Sequence, residues 1–437
     1  MAPMQRDRRR FLKEGASLAG LALAAPEIAT AAGVGQSKSI PGTISEFSPT
    51  GGSVLYGERS RFITSVRAID TLAGHESHGS APGVKPPQYR PDAKTPLRDS
   101  VGSITPSSLH FTTAHGYAPP DINPDEHKLV ISGMVDRPSV FTMRELKRLP
   151  FVTRVHFLEC VGGVALPFQG KTVTDTHGRT GCSEWTGIPL SLVLKEVGVH
   201  NQANWIVGIG SEAGQHAKSV PMAKAMDDCL LVYAQNGEAV RPDQGFPLRL
   251  LVPGFEGLYN VKWLKRIQVV DQNYSTFQEQ GRCCMNPDPK NRWGHFDFGP
   301  KSVITFPAGE DEISKNEYLT ITGLAWSGGG AIRRVEVSAD GGRTWADATL
   351  QGTAHRKAHV RFVMGWKWNG EETTLLSRCT DELGQVQPSV EAYAKYFGRT
   401  VQELARRGGG AGHVNFQMPW ILTRDGRVHN GLAGFSV

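Results

Sequence analysis

The chain contains 437 residues, of which 39% are apolar and 21% are charged, and its formal net charge is +6. This length and composition predict a globular protein of two or three domains, each with a hydrophobic core. No apolar run reaches the roughly 20 residues of a membrane-spanning helix, and the basic residues are scattered, which argues against a nucleic-acid-binding surface.

The first 32 residues have the pattern of an export signal. The basic run RRRFLK occupies positions 8–13, a short and weakly apolar stretch covers 16–25, and small residues cover 29–32. This order is typical of a cleaved signal peptide rather than a membrane span. The paired arginines predict the twin-arginine pathway, and therefore a periplasmic protein that is exported after it has folded. A general secretory signal and a chance basic start are the alternatives.

Residues 33–103 are predicted to form an extended N-terminal arm. Gly, Ser and Pro are frequent there, and the run APGVKPP at 81–87 cannot form a regular helix or a central strand. We expect such an arm to be ordered only where it packs against the body of the protein or against a partner.

Residues 104–300 predict a mixed α+β domain. Thr142 with Glu145 three residues later indicates the start of a short helix, and a second helix is predicted at 189–197. Apolar runs bounded by turn residues indicate the strands. These strands are predicted at 128–133, 139–141, 154–160, 204–208, 229–234, 248–254 and 263–270, with a hairpin turn at 235–238.

Residues 301–437 predict an immunoglobulin-like β-sandwich. The run at 318–326 alternates between apolar and polar residues, three glycines at 328–330 lead into a strand at 332–338, and the glycines at 341–342 form a tight turn. Short alternating strands joined by glycine turns are typical of a two-sheet sandwich.

Cys160 is the most informative of the six cysteines. It ends the apolar run at 155–160 and is followed by Val161-Gly162-Gly163, so that a sulfur atom is held at a strand tip which a ligand can approach closely. A buried cysteine that packs as a small apolar residue is the plain alternative. The chain contains no CxxC or CxxCH sequence, which disfavours a zinc ribbon, an iron–sulfur cluster and a covalently attached haem.

From about residue 109 onwards, these blocks together resemble the sulfite oxidase family of molybdenum enzymes. The blocks that carry the resemblance are CVG at 160–162, WTG at 185–187, DQGFPLR at 243–249, VPG at 252–254, VKWL at 261–264, AWSGG at 325–329 and VSADGGRTW at 337–345. Within the family, HFLEC at 156–160 and AQNGE at 234–238 are similar to the sulfane dehydrogenases.

The resemblance implies a molybdopterin cofactor with one molybdenum per chain and no haem in this chain. It implies that Cys160 is a catalytic residue, as the thiolate ligand of the metal, and that Arg361 of the second domain is a catalytic, anion-binding residue. A structural arginine on a strand is the alternative for Arg361. The cofactor-binding residues that it implies are Phe111, Thr112, Thr113, His115, Cys160, Gln244, Arg249, Asn260, Val261 and Lys262.

Departures from the family pattern concern the substrate pocket. Thr113 stands where sulfite oxidases have an arginine, and Gln244 stands where they have a histidine. Gly163 replaces the usual asparagine, and Arg282 or Cys283 falls near the position of the family's catalytic tyrosine. We therefore expect a pocket that is not built for free sulfite.

The expected fold class is accordingly α+β, with a sulfite-oxidase-type molybdopterin-binding catalytic domain at 104–300 and an immunoglobulin-like dimerisation domain at 301–437. The expected function is a sulfane dehydrogenase that oxidises sulfane sulfur on a sulfur-carrier protein and passes electrons to a c-type cytochrome subunit, in a homodimer within a heterotetramer. A sulfite dehydrogenase acting on free sulfite is the nearest alternative. A non-catalytic cofactor-binding subunit is an alternative of another class.

Overall fold

The structure, a computed structural model, describes residues 63–69, 92–113, 118–160, 166–276, 279, 296–406 and 413–435. Apart from Ile63, all of these belong to one compact unit, Thr64–Val437. The export signal, most of the N-terminal arm, His115, Gly163 and the segment that contains Arg282, Cys283 and Cys284 lie outside the described residues. Within the described part of the chain, no helix is long and apolar enough to cross a membrane.

The first part of this unit contains twelve strands among its described residues. They are β1 (Ala68–Ile69), β2 (Ala93–Lys94), β3 (Lys128–Gly133), β4 (Ser139–Thr142), β5 (Val152–Glu159), β6 (Thr180–Pro189), β7 (Trp205–Gly210), β8 (Ala217–Pro221), β9 (Leu230–Gln235), β10 (Glu238–Ala239), β11 (Arg249–Leu251) and β12 (Leu264–Val270).

The described helices are short. They are α1 (Met143–Leu146), α2 (Leu166–Gln169), α3 (Val173–His177), α4 (Leu190–Val197), α5 (Met222–Asp227), α6 (Val390–Tyr396) and α7 (Val401–Arg406). The predicted start of α1 is confirmed, because the Thr142 hydroxyl accepts a bond from the Glu145 N–H and the Glu145 carboxylate accepts one from the Thr142 N–H. This exchange satisfies two of the N–H groups that a helix start leaves without intrahelical partners.

Two five-stranded sheets and the short antiparallel pair of β1 and β2 form the first part. In one, the order is β10-β9-β6-β5, and β11 pairs with β9; in the other, the order is β4-β3-β12-β7-β8. Strands β3 and β12 run parallel, and all other pairs in these sheets are antiparallel. The predicted hairpin between β9 and β10 is confirmed, because Asn236 and Gly237 both have positive φ at its turn.

The second part is a β-sandwich of the immunoglobulin-like type. Its strands are β13 (Lys301–Phe306), β14 (Tyr318–Trp326), β15 (Ile332–Ser338), β16 (Ala346–Asp347), β17 (Thr349–Gln351), β18 (Val360–Lys367), β19 (Thr373–Asp381), β20 (Trp420–Leu422) and β21 (Val428–Asn430). They form two sheets, β13-β14-β18-β17 and β16-β15-β19-β20-β21, whose neighbouring strands are all antiparallel. The predicted fold class, α+β with a C-terminal sandwich, is confirmed.

One hydrophobic core joins the two parts. The ring of Phe157 on β5 lies 6.3 Å from that of Trp326 on β14 and 5.9 Å from that of Phe298. Leu97 and Cys182 of the first part belong to the same buried cluster as the sandwich residues. Because this core is shared, β5 is held against the sandwich at the end that leads to Cys160.

The described end of the N-terminal arm packs against the sandwich, as expected for an arm that is ordered only where it has a surface to contact. The Arg98 guanidinium lies over the Phe306 ring at 4.6 Å and donates to Asp311 at 2.9 Å. Arg361 on β18 donates to the carbonyls of Ser100 and Gly102. The arm then continues directly into the segment that ends at Thr113.

We predict that Gly254→Ala destabilises the protein much more than Gly237→Ala. Both glycines have positive φ, which costs other residues about 1–2 kcal/mol. A Cβ at Gly254 would also lie 2.5 Å from the Gly328 carbonyl oxygen of the second part, whereas a Cβ at Gly237 meets no atom within 4 Å. Equal losses in the free energy of unfolding, measured by denaturant titration of both variants, would contradict this close approach.

Candidate functional site

Two cations lie close together in the first part, Arg249 buried and Lys262 half-buried. Arg249 on β11 is 2% exposed and donates to the carbonyl oxygen of Gln244 at 2.8 Å and to that of Asn260 at 3.3 Å. Lys262 Nζ donates to the carbonyl oxygens of Thr113 at 2.8 Å and Asp243 at 3.0 Å. Carbonyl oxygens satisfy hydrogen bonds without neutralising charge, so this pair has the electrostatic character of an anion site.

The pKa values of both cations are depressed. Burial lowers the pKa of Arg249 to about 9. Burial, and then the charge of Arg249, lowers the pKa of Lys262 to about 8. Removing a charge from water without a full counter-charge is unfavourable, and an anionic ligand would offset this cost. The Nε atom of Arg249 is buried and has no hydrogen-bond partner among the described residues.

The segment 111–113 is brought to these cations. The Phe111 N–H donates to Thr95, and Thr112 forms a backbone bridge with Ala93, so the end of the arm holds this segment in place. Gln244 Nε2 donates to the Phe111 carbonyl at 2.7 Å, and Gln244 Oε1 accepts from Arg249 at 3.3 Å. Gln244 therefore links the segment 111–113 to Arg249. Its side-chain amide can do so because its NH2 group donates one bond while its oxygen accepts the other.

Asn260 and Val261 have contacts of a structural kind. The Asn260 side chain accepts from the Val252 N–H at 2.7 Å and donates to the Glu256 carbonyl at 3.1 Å. Val261 is 1% exposed and packs in the main core of the first part. Both residues shape the chain between Arg249 and Lys262, so any cofactor contact predicted for them stays a prediction.

Cys160 follows β5 directly and is half-buried. Its N–H donates to the Arg179 carbonyl at 2.9 Å, and its side chain packs against the small apolar cluster that contains Phe111 and Trp185. The Arg249 guanidinium lies 5.0 Å above the Trp185 ring. The thiol, the segment 111–113 and the cation pair therefore meet around one group of apolar side chains.

The residue before Cys160 anchors it to the sandwich. Glu159 is 6% exposed; its carboxylate forms an ion pair with Lys301 at 2.5 Å and accepts from the indole N–H of Trp326 at 2.7 Å. Both of these partners belong to the second part. A buried carboxylate is tolerated because its two oxygens are both engaged.

Arg361 lies on β18, and its described contacts differ from those of the cation pair. Its guanidinium donates to the carbonyls of Ser100 and Gly102 and to the hydroxyls of Thr305 and Thr322. These bonds engage Nε and both terminal nitrogens in holding the arm against the sandwich. The other described candidate residues lie together in the first part. Arg361 instead has the contacts of a structural arginine, so a catalytic role for it stays a prediction.

Sequence reasoning missed one acidic residue of this region. Glu212 follows β7, is 5% exposed, and its Oε2 atom accepts no bond from a described residue. Burial raises the pKa of Glu212, and the charge of Lys262 opposes this effect. A carboxylic acid with a raised pKa can donate as well as accept hydrogen bonds. Glu212 lies four residues beyond the end of the predicted strand at 204–208, a position that offered no signal in a single sequence.

It also missed the residues that line a cavity of about 20 Å³ at Cys160. Arg179, His177, Lys301 and His413 belong to its walls. His177 ends α3, Arg179 directly precedes β6, Lys301 begins β13 and His413 lies in the segment before β20. No sequence motif joins them.

We predict that Lys301→Met destabilises the protein by about 3–5 kcal/mol, because it leaves the Glu159 carboxylate buried without its counter-charge. The double variant Lys301→Met/Glu159→Gln removes both charges, so it should recover most of that loss. Chemical denaturation of the two variants checks the prediction. A single variant as stable as the parent protein would show that the pair is not buried in solution.

Two family models match this chain. The oxidoreductase molybdopterin-binding domain covers residues 115–278, and the Mo-co oxidoreductase dimerisation domain covers residues 294–401. Together they span more than half of the chain and leave the predicted signal outside the match.

Curated relatives match about two thirds of the chain. The NADH nitrate reductase of Ulva prolifera is 34% identical over 331 residues, which are 66% of this chain and 38% of that protein. The mitochondrial sulfite oxidase of Homo sapiens is 31% identical over 318 residues, which are 66% of this chain and 58% of that protein. The chain thus spans between about a third and three fifths of the length of these relatives.

A solved structure matches nearly the whole chain. The crystal structure of the sulfane dehydrogenase SoxCD from Paracoccus pantotrophus contains a chain that is 33% identical, with a TM-score of 0.72. The alignment covers 89% of this chain and 97% of that one.

Proposed function

This chain belongs to the sulfite oxidase family of molybdopterin oxidoreductases, and we propose that within the family it acts as a sulfane dehydrogenase. The proposed substrate is sulfane sulfur bound to a cysteine of a sulfur-carrier protein, and the proposed electron acceptor is a c-type cytochrome subunit. The observation that carries the proposal is the similarity to one chain of a sulfane dehydrogenase over 97% of that chain's length. The twin-arginine pattern at 8–13 supports a periplasmic location.

The described residues fit a molybdopterin cofactor. Arg249 and Lys262 present positive charge whose described hydrogen bonds go to carbonyl and amide oxygens, and Arg249 has a buried N–H without a partner among the described residues. An anionic pterin phosphate suits both of them. Cys160 supplies a thiol, which is the soft ligand that a high-valent metal of this kind takes up as thiolate.

When it is bound, the cofactor supplies oxygen-atom transfer to sulfur and takes up the two electrons of each step. The chain's own residues bind and orient it. Lys262 and Arg249 would hold its anionic end, and Gln244 keeps Arg249 in register with the segment at 111–113. Cys160 would hold the metal, and its backbone is fixed by the bond to Arg179 and by the buried anchor of Glu159.

The second part supports a proposal about assembly. Because residues 294–401 match a dimerisation domain, we expect a homodimer through the sandwich. A cytochrome subunit bound to each chain would then give a heterotetramer. The similarity to a chain of the SoxCD structure supports this arrangement.

Cofactor retention should weaken as the pH rises above about 8. The pKa of Lys262 in the empty site is about 8, so the affinity for an anion falls up to tenfold per pH unit above this value, until the raised pKa of the bound state is reached. Lys262→Arg should move the onset of this loss from about pH 8 towards about pH 9, the pKa to which burial lowers Arg249 in the same site. Release of fluorescent pterin from the holoenzyme between pH 7 and 9.5 measures the effect. A release rate that is flat in the wild type, or parallel in both proteins, contradicts it.

The substrate proposal predicts fast cytochrome c reduction with a persulfide-loaded carrier protein and slow reduction with free sulfite. The missing arginine at Thr113 is the physical reason, because sulfite is a compact anion that needs cationic partners at close range. Fast turnover of sulfite alone would instead identify a sulfite dehydrogenase.

The matched variants are Cys160→Ser and Cys182→Ala. We expect metal analysis to find close to one molybdenum per chain in the parent protein. Cys160→Ser should lose this molybdenum, whereas Cys182→Ala, a change at a buried cysteine on β6, should keep it. A parent protein without molybdenum would support the non-catalytic alternative.

A further inference from the structure

Residues 64–69 of the N-terminal arm, which we call the strap, lie close to the cation pair. Strand β1 of the strap pairs antiparallel with β2, and Ala93 of β2 exchanges backbone hydrogen bonds with Thr112. Because Thr112 belongs to the segment 111–113, β2 lies between the strap and that segment. The strap is therefore the outer member of three pieces of chain that stand side by side at the candidate site.

Asp243 binds one cation through its backbone and another through its side chain. Its carbonyl oxygen accepts from Lys262 Nζ at 3.0 Å, and its carboxylate accepts from Arg67 Nη1 of the strap at 2.8 Å. The Arg67 side chain is 29% exposed and that of Asp243 is 13% exposed, so solvent screens this ion pair only in part. Arg67 is therefore a third cation beside the candidate site, and it is supplied by the arm.

His110 gives independent support for the position of Arg67. This histidine is buried, and its ring stacks on that of Phe111 with a centroid distance of 4.9 Å. Burial lowers the pKa of His110 to about 3, and the charges of Arg249 and Arg67 both contribute to the lowering. One ring thus lies within electrostatic range of both guanidinium groups, so Arg67 and Arg249 are neighbours in this part of the fold.

Charged groups act on Lys262 from several elements. They are Arg249 on β11, Asp243 before β11, Asp92 before β2 and Glu212 after β7. Burial and the charge of Arg249 lower the pKa of Lys262, whereas the three carboxylates raise it. A carboxylate beside a cation also repels any anion that approaches the same cation. The ion pair with Arg67 gives Asp243 a counter-charge other than Lys262.

We propose that Arg67 is a positioning residue of the cofactor site, which neutralises the Asp243 carboxylate so that the charge of Lys262 stays available to the anionic end of the cofactor. Without Arg67, the Asp243 charge would act unopposed on Lys262 and on an anion beside it. The proposal rests on the proposed function only in taking Arg249 and Lys262 as the anion-binding end of the cofactor site. It gives the arm a part in retaining the cofactor.

Release of fluorescent pterin from the holoenzyme tests this role without turnover. Arg67→Gln removes the counter-charge, so release at pH 7 should be about tenfold faster, the order of one unit charge acting across a partly buried site. Arg67→Lys keeps the charge, so its release rate should lie closer to that of the parent protein. Unchanged release in Arg67→Gln, or equally fast release in both variants, overturns the proposal.

Two matched variants separate the charge of Arg67 from a general loosening of the arm. Arg67→Gln/Asp243→Asn removes both charges, so it should return release close to the rate of the parent protein. Arg98→Gln breaks another ion pair of the arm, with Asp311 at 2.9 Å, and should leave release unchanged. A double variant as fast as Arg67→Gln, or an equal acceleration by Arg98→Gln, contradicts the assignment.

The pH dependence of release gives a readout that a loss of packing would not move in this direction. In Arg67→Gln, the unopposed carboxylate of Asp243 favours protonated Lys262, so the pKa of Lys262 in the empty site should rise. Because retention weakens above that pKa, its onset should move above about pH 8, although release at pH 7 is faster. An onset that stays in place or moves to lower pH sinks the proposed role.

Failure here and failure of the proposed function are distinguishable. Turnover of carrier-bound sulfane by a protein whose pterin release does not depend on Arg67 would overturn only the inference about the strap. Release that depends on Arg67, in a protein that does not oxidise carrier-bound sulfane, would overturn only the proposed function. A parent protein that holds no pterin would overturn both.

Discussion

The arrangement of this molecule depends on one buried carboxylate. Glu159 ends β5, stands next to the thiol of Cys160, and has its oxygens engaged by Lys301 and Trp326 of the sandwich. A buried carboxylate is tolerated only while both of its partners remain. If the two parts of the chain separated, Glu159 would lose the counter-charge of Lys301 and the hydrogen bond from Trp326. The position of the candidate metal ligand is thereby tied to the packing of the second part of the chain.

The cation pair shows the opposite use of burial. Arg249 and Lys262 are surrounded by carbonyl oxygens that fix their direction and leave much of their charge unmatched. Burial lowers the pKa of both groups, which shows that their charged forms are disfavoured in this position. A site of this kind is organised before its anion binds. The affinity then comes as much from neutralising the poorly solvated charges of Arg249 and Lys262 as from new contacts.

The sequence predicted the elements with regular periodicity well. Strands β3, β14 and β15 begin and end where alternation predicts, and α4 lies within its predicted range. Strand β6 was missed because Gly181, Gly187 and Pro189 disfavour a strand; it forms because it lies between β5 and β9 with most of its residues buried. At Gly181 a Cβ would lie 2.7 Å from the His110 ring, so the glycine is a packing requirement.

For the site, motifs could identify Cys160, Arg249 and Lys262 because each lies within a short block of its own. They could not identify the cavity, whose residues lie up to 255 positions apart (Glu159 and Val414) and meet only through the shared core. The arm has a similar long-range dependence. Arg361 holds Ser100 and Gly102 across 261 and 259 positions, and the arm leads straight to the segment at 111–113. The segment at 111–113 is therefore fixed only after most of the sandwich has been synthesised, so the candidate site is completed late in folding.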